Sequence, residues 1–201
     1  MTGYYRDLVT EKSWNLLQKL SKRYSFVLIG GWAVWLYTHE LKSKDIDIVV
    51  SLTELGKLGK DFPLLKNDRL KKYEINQGEV QVDIYSPFYS DPGIAAETIL
   101  ENAVSIEGFR LPRPEDLLSL KFTAYKSRAG SSKGRKDLID IVSLLQLKTL
   151  DWNCVPKDAV DIASKYTEVP ELSLNRHDYA RLKKQWKSKF QNKPLAVELT
   201  L

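Results

Sequence analysis

In the segment YRDLVTEKSWNLLQKLSK (residues 5–22), Leu8, Val9, Leu16, Leu17 and Leu20 recur at mostly helical spacing and predict an opening helix. The period then changes. SFVLIG reads as a short buried strand ending at a glycine, GWAVWLYTH as a buried helix, and DIDIVV alternates as a strand does. TELGKLGKDF predicts a short helix or a two-glycine turn. RLKKYEI and EVQVDIYS alternate on either side of NQG and predict a hairpin. GIAAETILENA reads as a helix, and VSIEGFRLP as a small hairpin around Glu107 and Gly108. RPEDLLSLKFTAYKS starts a helix, with Pro114 at its first position and Glu115 and Asp116 at its positive end. RAGSSKG is a loop, RKDLIDIVSLLQ a further helix, and residues 155–193 suggest two more, the last one basic. The order predicts an α+β protein. A small mixed or antiparallel sheet flanked by helices occupies residues 1–112, and a helical region, 113–201, packs on it, with a soft boundary at 111–114.

Composition narrows the class. The chain has 201 residues, 43% of them hydrophobic and 28% charged, enough for a sizeable core without cross-links. A single cysteine, Cys154, excludes an intramolecular disulfide and fits a reducing compartment. The opening MTGYYRDLVTEK lacks a signal-type apolar core, and no run approaches the roughly 18 apolar residues of a membrane span. A cytoplasmic protein with no membrane partner is the expectation. The net charge of +5 favours polyanions such as nucleotides or nucleic acid without selecting one.

Chemistry concentrates in VLIGGWAVWLYTHELKSKDIDIVV (Val27 to Val50). Side chains alternate faces along a strand, so Asp45 and Asp47 share one side while Ile46 and Ile48 face the core. Two carboxylates this close resist joint ionisation unless a cation joins them, and hard divalent cations take oxygen ligands. In EVQVDIYS, Val80, Val82 and Ile84 share a face and Asp83 lies on the other. Pairing of that strand beside DIDIVV would bring Asp83 to Asp45 and Asp47, a carboxylate set suited to two-metal phosphoryl chemistry. The alternative is a solvated strand face. Gly30 and Gly31 end a strand and open a helix, where backbone can approach a phosphate; a tight packing turn is the plain alternative. Trp32 and Trp35 suit core packing better than base stacking. His39 and His177 are too scattered for a metal cluster, and Cys154 reads as a small core residue. Arg181 to Phe190 mixes basic and aromatic residues, either an RNA-contacting helix or a solvated one with a packing stripe.

The pattern h-G-G, thirteen residues (Trp32 to Lys44), then D-h-D-h and a later strand aspartate resembles the nucleotidyltransferase superfamily related to DNA polymerase beta. LPRPEDLLSLKFTAYKSRAGSSKGRKDLIDIVSLL, with its lysine-bearing helix, arginine and K-D-x-x-D-I, resembles the AbiEii-like branch, which includes toxins of toxin–antitoxin systems. SKDIDI looks like that branch's Ser/Thr-x-Asp-h-Asp element and brings in Ser43. The resemblance covers residues 24–147. It implies that Asp45, Asp47 and Asp83 hold two Mg²⁺ (or Mn²⁺) ions, with Asp83 also a general base. Gly30, Gly31 and Ser43 would contact the phosphates of a nucleoside triphosphate, ATP among the candidates. Lys121, Tyr125 and Arg128 fall at i, i+4, i+7, one helical face; Lys121 is the first candidate for the triphosphate and Arg128 the second. Asp137 and Asp140 would orient these two by salt bridges or serve packing. The implied reaction moves a nucleoside monophosphate to a hydroxyl of an RNA or tRNA end, a protein or a small molecule. A toxin with an antitoxin partner and a non-catalytic nucleotide-binding module are the alternatives, with a structural protein bearing chance motifs behind them.

Overall fold

The computed structural model describes residues 2–159 and 162, with side chains from residue 8. His177, Arg181 to Phe190 and most of the helical stretch expected over 155–193 lie outside the described residues.

The chain opens with α1 (Thr2–Ser21), whose Leu17 and Leu20 enter the core. Strand β1 (Val27–Ile29) runs straight into α2 (Gly30–Thr38), and β2 (Ile46–Val49) follows. Helix α3 (Leu52–Asp61) is capped by Ser51, which accepts a hydrogen bond from the Glu54 N–H. The hairpin expected around NQG is present as β4 (Lys72–Gln77) and β5 (Val80–Tyr85). It is preceded by β3 (Leu65–Asn67), an edge strand the alternation did not announce, because three residues are too few to show a period. A six-residue α4 (Ala96–Glu101) and the small hairpin β6 (Val104–Ile106) and β7 (Phe109–Leu111) lead to α5 (Pro114–Arg128) and α6 (Ser132–Leu144).

The main sheet has the order β1-β2-β5-β4-β3. Three of its pairings are antiparallel and one, β2 with β5, is parallel, so the sheet is mixed, as expected. Its alternation is strict. Ile46, Ile48, Val80, Val82 and Ile84 point into the larger core with Leu17, Trp32, Leu117, Leu118, Leu138 and Ile141. Helices on both sides of the expected boundary at 111–114 share that core. The opposite face carries a smaller cluster, Val27, Ile29, Val49, Ala96, Ile99 and Leu120. That cluster shares its face with Asp47 and Asp83.

Tryptophans 32 and 35 pack as expected. Trp14, Trp32 and Trp35 lie with ring centroids 5.0–5.5 Å apart, and Trp32 Nε1 donates to Ser13 Oγ at 2.9 Å. Cys154 corrects its expectation. It is exposed, because the 3-10 turn Trp152–Cys154 turns its thiol toward Asp151 rather than inward. Helices α5 and α6 fold back so tightly that a Cβ on Gly134 would lie 2.1 Å from the Arg128 carbonyl oxygen. That close turn sets which charges of the two helices meet.

Candidate active site

The parallel pairing assembles the site. Asp47 on β2 stands directly opposite Asp83 on β5, and Asp83 directly opposite Glu74 on β4. Asp45 precedes β2, in a bend rather than within the strand, and lies close enough for its charge to act on Asp47. On the other side of β2, Ile29 pairs with Asp47, and the next residue is Gly30, the start of α2.

Gly30 has φ of +69°, and a Cβ there would fall 2.0 Å from Asp47 Oδ2. Only glycine accepts both the backbone and the carboxylate. Beside it, a Cβ on Gly31 would lie 2.8 Å from Ser43 Oγ and 3.2 Å from Lys136 Nζ. The double glycine is thus a close approach of helix to strand, and it brings Ser43 and Lys136 to the same spot. No side chain caps α2 at Ile29, so its first-turn N–H groups have no cap there. An uncapped helix start favours anions.

The electrostatics are lopsided. Burial, the Asp83 charge and the Asp45 charge push the Asp47 carboxyl up to about 6, against the pull of Lys121 and Lys136. Asp83 is held differently. Lys72 Nζ donates to its Oδ2 at 2.6 Å and Gln81 Nε2 to its Oδ1 at 2.8 Å. Lys72 is buried, also touches Glu74 at 3.1 Å, and is held above the usual lysine range because these carboxylates outweigh the burial that opposes its charge.

Lys121 does not lie on a solvated face, whereas Arg128 stays exposed. Lys121 is buried, with Nζ 2.7 Å from Asp140 Oδ2 and 3.7 Å from Asp137 Oδ1. Arg128 grips Asp137 through Nε at 2.6 Å and Nη2 at 2.9 Å. Burial works against the Lys121 charge, and Asp140 and Asp137 overcome it, so its pKa rises. The two aspartates orient the cations, one of the two roles expected for them.

Lys136 was named in the sequence only as part of K-D-x-x-D-I. Burial lowers its pKa, Asp140 opposes that, and Lys121 adds to it. Its proximity to Gly31, Ser43 and the Asp47 charge places it in the site. The signal was its position beside Asp137 on α6, one residue off the face that receives Lys121. His39 faces Glu107 at 3.5 Å, away from the carboxylates.

Whether these residues suit a divalent cation turns on their donors. Asp45 and Asp47 offer hard carboxylate oxygens, and Asp47 carries the unfavourable charge that a cation relieves. Asp83 fits with its remaining lone pairs, since each carboxylate oxygen accepts more than one bond. Among the described residues no three His, Cys, Asp or Glu side chains already converge as a ready metal cluster. In this arrangement Lys72 serves as the positive partner of Asp83.

The Asp47 shift has a consequence for pH. Its folded pKa, about 6, exceeds the ordinary 3.8, so between these values the folded state binds more protons than the unfolded. Stability should therefore fall as pH rises from about 4 to about 6 and then level off as far as this group is concerned. Denaturant unfolding of the chelator-treated protein across that window, against Asp47→Asn, checks it. A wild-type profile identical to the variant's would refute the shift.

No protein-family model and no curated protein matches the chain. Solved structures are similar to it at low identity. JHP933 from Helicobacter pylori is 15% identical, with a TM-score of 0.44, over 86% of this chain and 88% of that one. An antigenic nucleotidyltransferase-like protein from Paracoccidioides brasiliensis is 19% identical, also at 0.44, over 89% and 93%. The Megavirus polyadenylate synthase is 14% identical at 0.44, over 72% of this chain but 32% of its own. Among the described residues no helix is long and apolar enough to cross a membrane.

Proposed function

We propose that the chain is a nucleotidyltransferase that moves a nucleoside monophosphate from a nucleoside triphosphate to a hydroxyl acceptor. The observation that carries this reading is the meeting of Asp47 with Asp83 across the parallel pair, against the glycine start of an uncapped helix. A carboxylate set beside an anion-accepting helix end suits a polyphosphate held with cations.

Asp45 and Asp47 would hold Mg²⁺ or Mn²⁺, with Asp83 joining them. Such ions, when bound, neutralise phosphate charge and activate a hydroxyl. The chain's own residues do the rest. Gly30 and Gly31 present backbone N–H groups to the phosphates, and Lys136 and Ser43 border the same place. Lys121 and Arg128, fixed by Asp140 and Asp137, supply positive charge behind it. Asp83, positioned by its hydrogen bond from Lys72, accepts the proton of the attacking hydroxyl. The acceptor oxygen bonds to the α-phosphorus, the bond to the bridging oxygen breaks, and pyrophosphate leaves.

One observation favours a second reading. Both Asp83 oxygens already accept hydrogen bonds, as they would in a module that binds nucleotide without transferring it. The toxin reading, with an antitoxin partner, rests on the K-D-x-x-D-I resemblance alone.

Incubation with Mg²⁺ and each α-³²P-labelled nucleoside triphosphate, together with total RNA or cell extract, separates these. Label on an acceptor band with the wild type and none with Asp45→Asn/Asp47→Asn is the expected result. Nucleotide binding without label on any acceptor would replace transfer by the binding module. Neither binding nor label would sink both.

A further inference from the structure

At the far end of β5 the chain turns through Ser86, Pro87, Phe88 and Tyr89, with the Ser90 N–H bonded to the Ser86 carbonyl at 3.1 Å. Phe88 is 90% exposed and has φ of +62°. A left-handed position after proline ordinarily carries Gly or Asn, which adopt it without strain. Here a large apolar ring stands in water at a strained position, and neither feature helps the fold.

The next residue, Tyr89, has basic and aromatic neighbours. The Tyr89 ring lies 5.1 Å from the Tyr73 ring. Lys66 Nζ stands 4.8 Å and Lys71 Nζ 5.5 Å from the Tyr89 centroid. Arg69 is exposed on the same turn, between β3 and β4. Asp68 is the single carboxylate of that turn, and it holds Lys66 at 2.9 Å and the Tyr89 hydroxyl at 3.0 Å. The turn ends at Lys72, whose ammonium bonds Asp83. Phe88 follows Asp83 by five residues, at most about 17 Å of extended chain.

Cations that track phosphates, combined with a free ring that stacks on a base, are what single-stranded nucleic acid requires. A duplex hides its base faces from such a ring. We infer that the Phe88–Tyr89 turn and the Lys66–Lys72 turn form a binding surface for single-stranded nucleic acid. This surface does not depend on the transferase reading. An acidic protein segment would meet the same charges but leave the Phe88 ring without a stacking partner.

The test is fluorescence anisotropy with the full chain and labelled single strands of about 12 nucleotides, oligo-U and oligo-dT, beside a duplex and polyglutamate of matched charge. Single strands should bind best, with affinity falling steeply as salt rises. Phe88→Gly should weaken that binding about tenfold, while its melting temperature stays level or rises, because glycine relieves the left-handed strain. Lys66→Ala/Lys71→Ala should flatten the salt dependence. Equal binding by wild type and Phe88→Gly, or polyglutamate binding as well as the single strands, would overturn the inference. So would absence of single-strand binding in a protein whose nucleotide binding still depends on Asp45 and Asp47, and that result would leave the transferase reading standing. Loss of nucleotide binding with the single strands still held at Phe88 would do the reverse.

Discussion

Asp47→Asn should slow transfer steeply and make the protein more stable in one step. The amide keeps the shape of the side chain but removes a charge that burial, Asp83 and Asp45 all oppose. A rise from 3.8 to about 6 corresponds, after discounting for the partial exposure of the group, to about 1–3 kcal/mol of destabilisation at neutral pH. The variant should recover that amount in denaturant unfolding of the metal-free chain. It should also lose on the order of a thousandfold in transfer rate, the scale seen when one preorganised charge-stabilising group is removed. A residue kept for the fold shows the opposite signs. If Asp47→Asn unfolds more easily than wild type, the carboxylate serves structure and the site has been misassigned.

Lys121→Met is the second large effect, and it acts on the fold. The variant leaves Asp140, 1% exposed, without the cation in contact with it, with only the Lys136 charge still acting on it, while Asp137 keeps Arg128. Removing one partner of a buried pair costs about 3–5 kcal/mol, because the remaining charge is stranded. That is a large part of the roughly 5–15 kcal/mol that holds a domain together. Lys121→Met/Asp140→Leu should regain most of it, since an apolar pair of similar volume replaces the ions. Unfolding of the two variants and of Asp140→Leu alone completes a double-mutant cycle. A loss below about 1 kcal/mol for Lys121→Met would show that the pair is solvated.

Much of this arrangement was legible because it depends on period. Alternation along 46–49 and 80–85 placed Ile46, Ile48, Val82 and Ile84 inward, and so fixed the other face for Asp47 and Asp83. The double glycine was visible too, but not its reason, since nothing local says that Asp47 Oδ2 occupies the space of a Gly30 Cβ. Lys136 and Lys72 escaped notice because their importance is tertiary. Lys72 reads as one more charge in a hairpin until β4 lies against β5. The burial of Lys121 was equally hidden: α5 alternates too weakly to reveal an inward lysine, and its partners lie on the next helix. Phe88 gave no signal, because exposure and a left-handed backbone are not written in the alternation of a loop.

The parallel contact between β2 and β5 also dictates when the site comes into being. Asp47 and Asp83 are 36 residues apart in the chain, while β4 and β5 meet through a tight turn. A contact so distant in sequence is slow to form, because its loop must be closed before the contact rewards it. The two carboxylates therefore stay ordinary, separate acids through the early search. Their repulsion is first felt at the closing step, where it opposes the last join of the sheet. Nascent chain can build its local hairpin and helices without that burden, and the charge conflict between the two carboxylates is confined to the end of its folding.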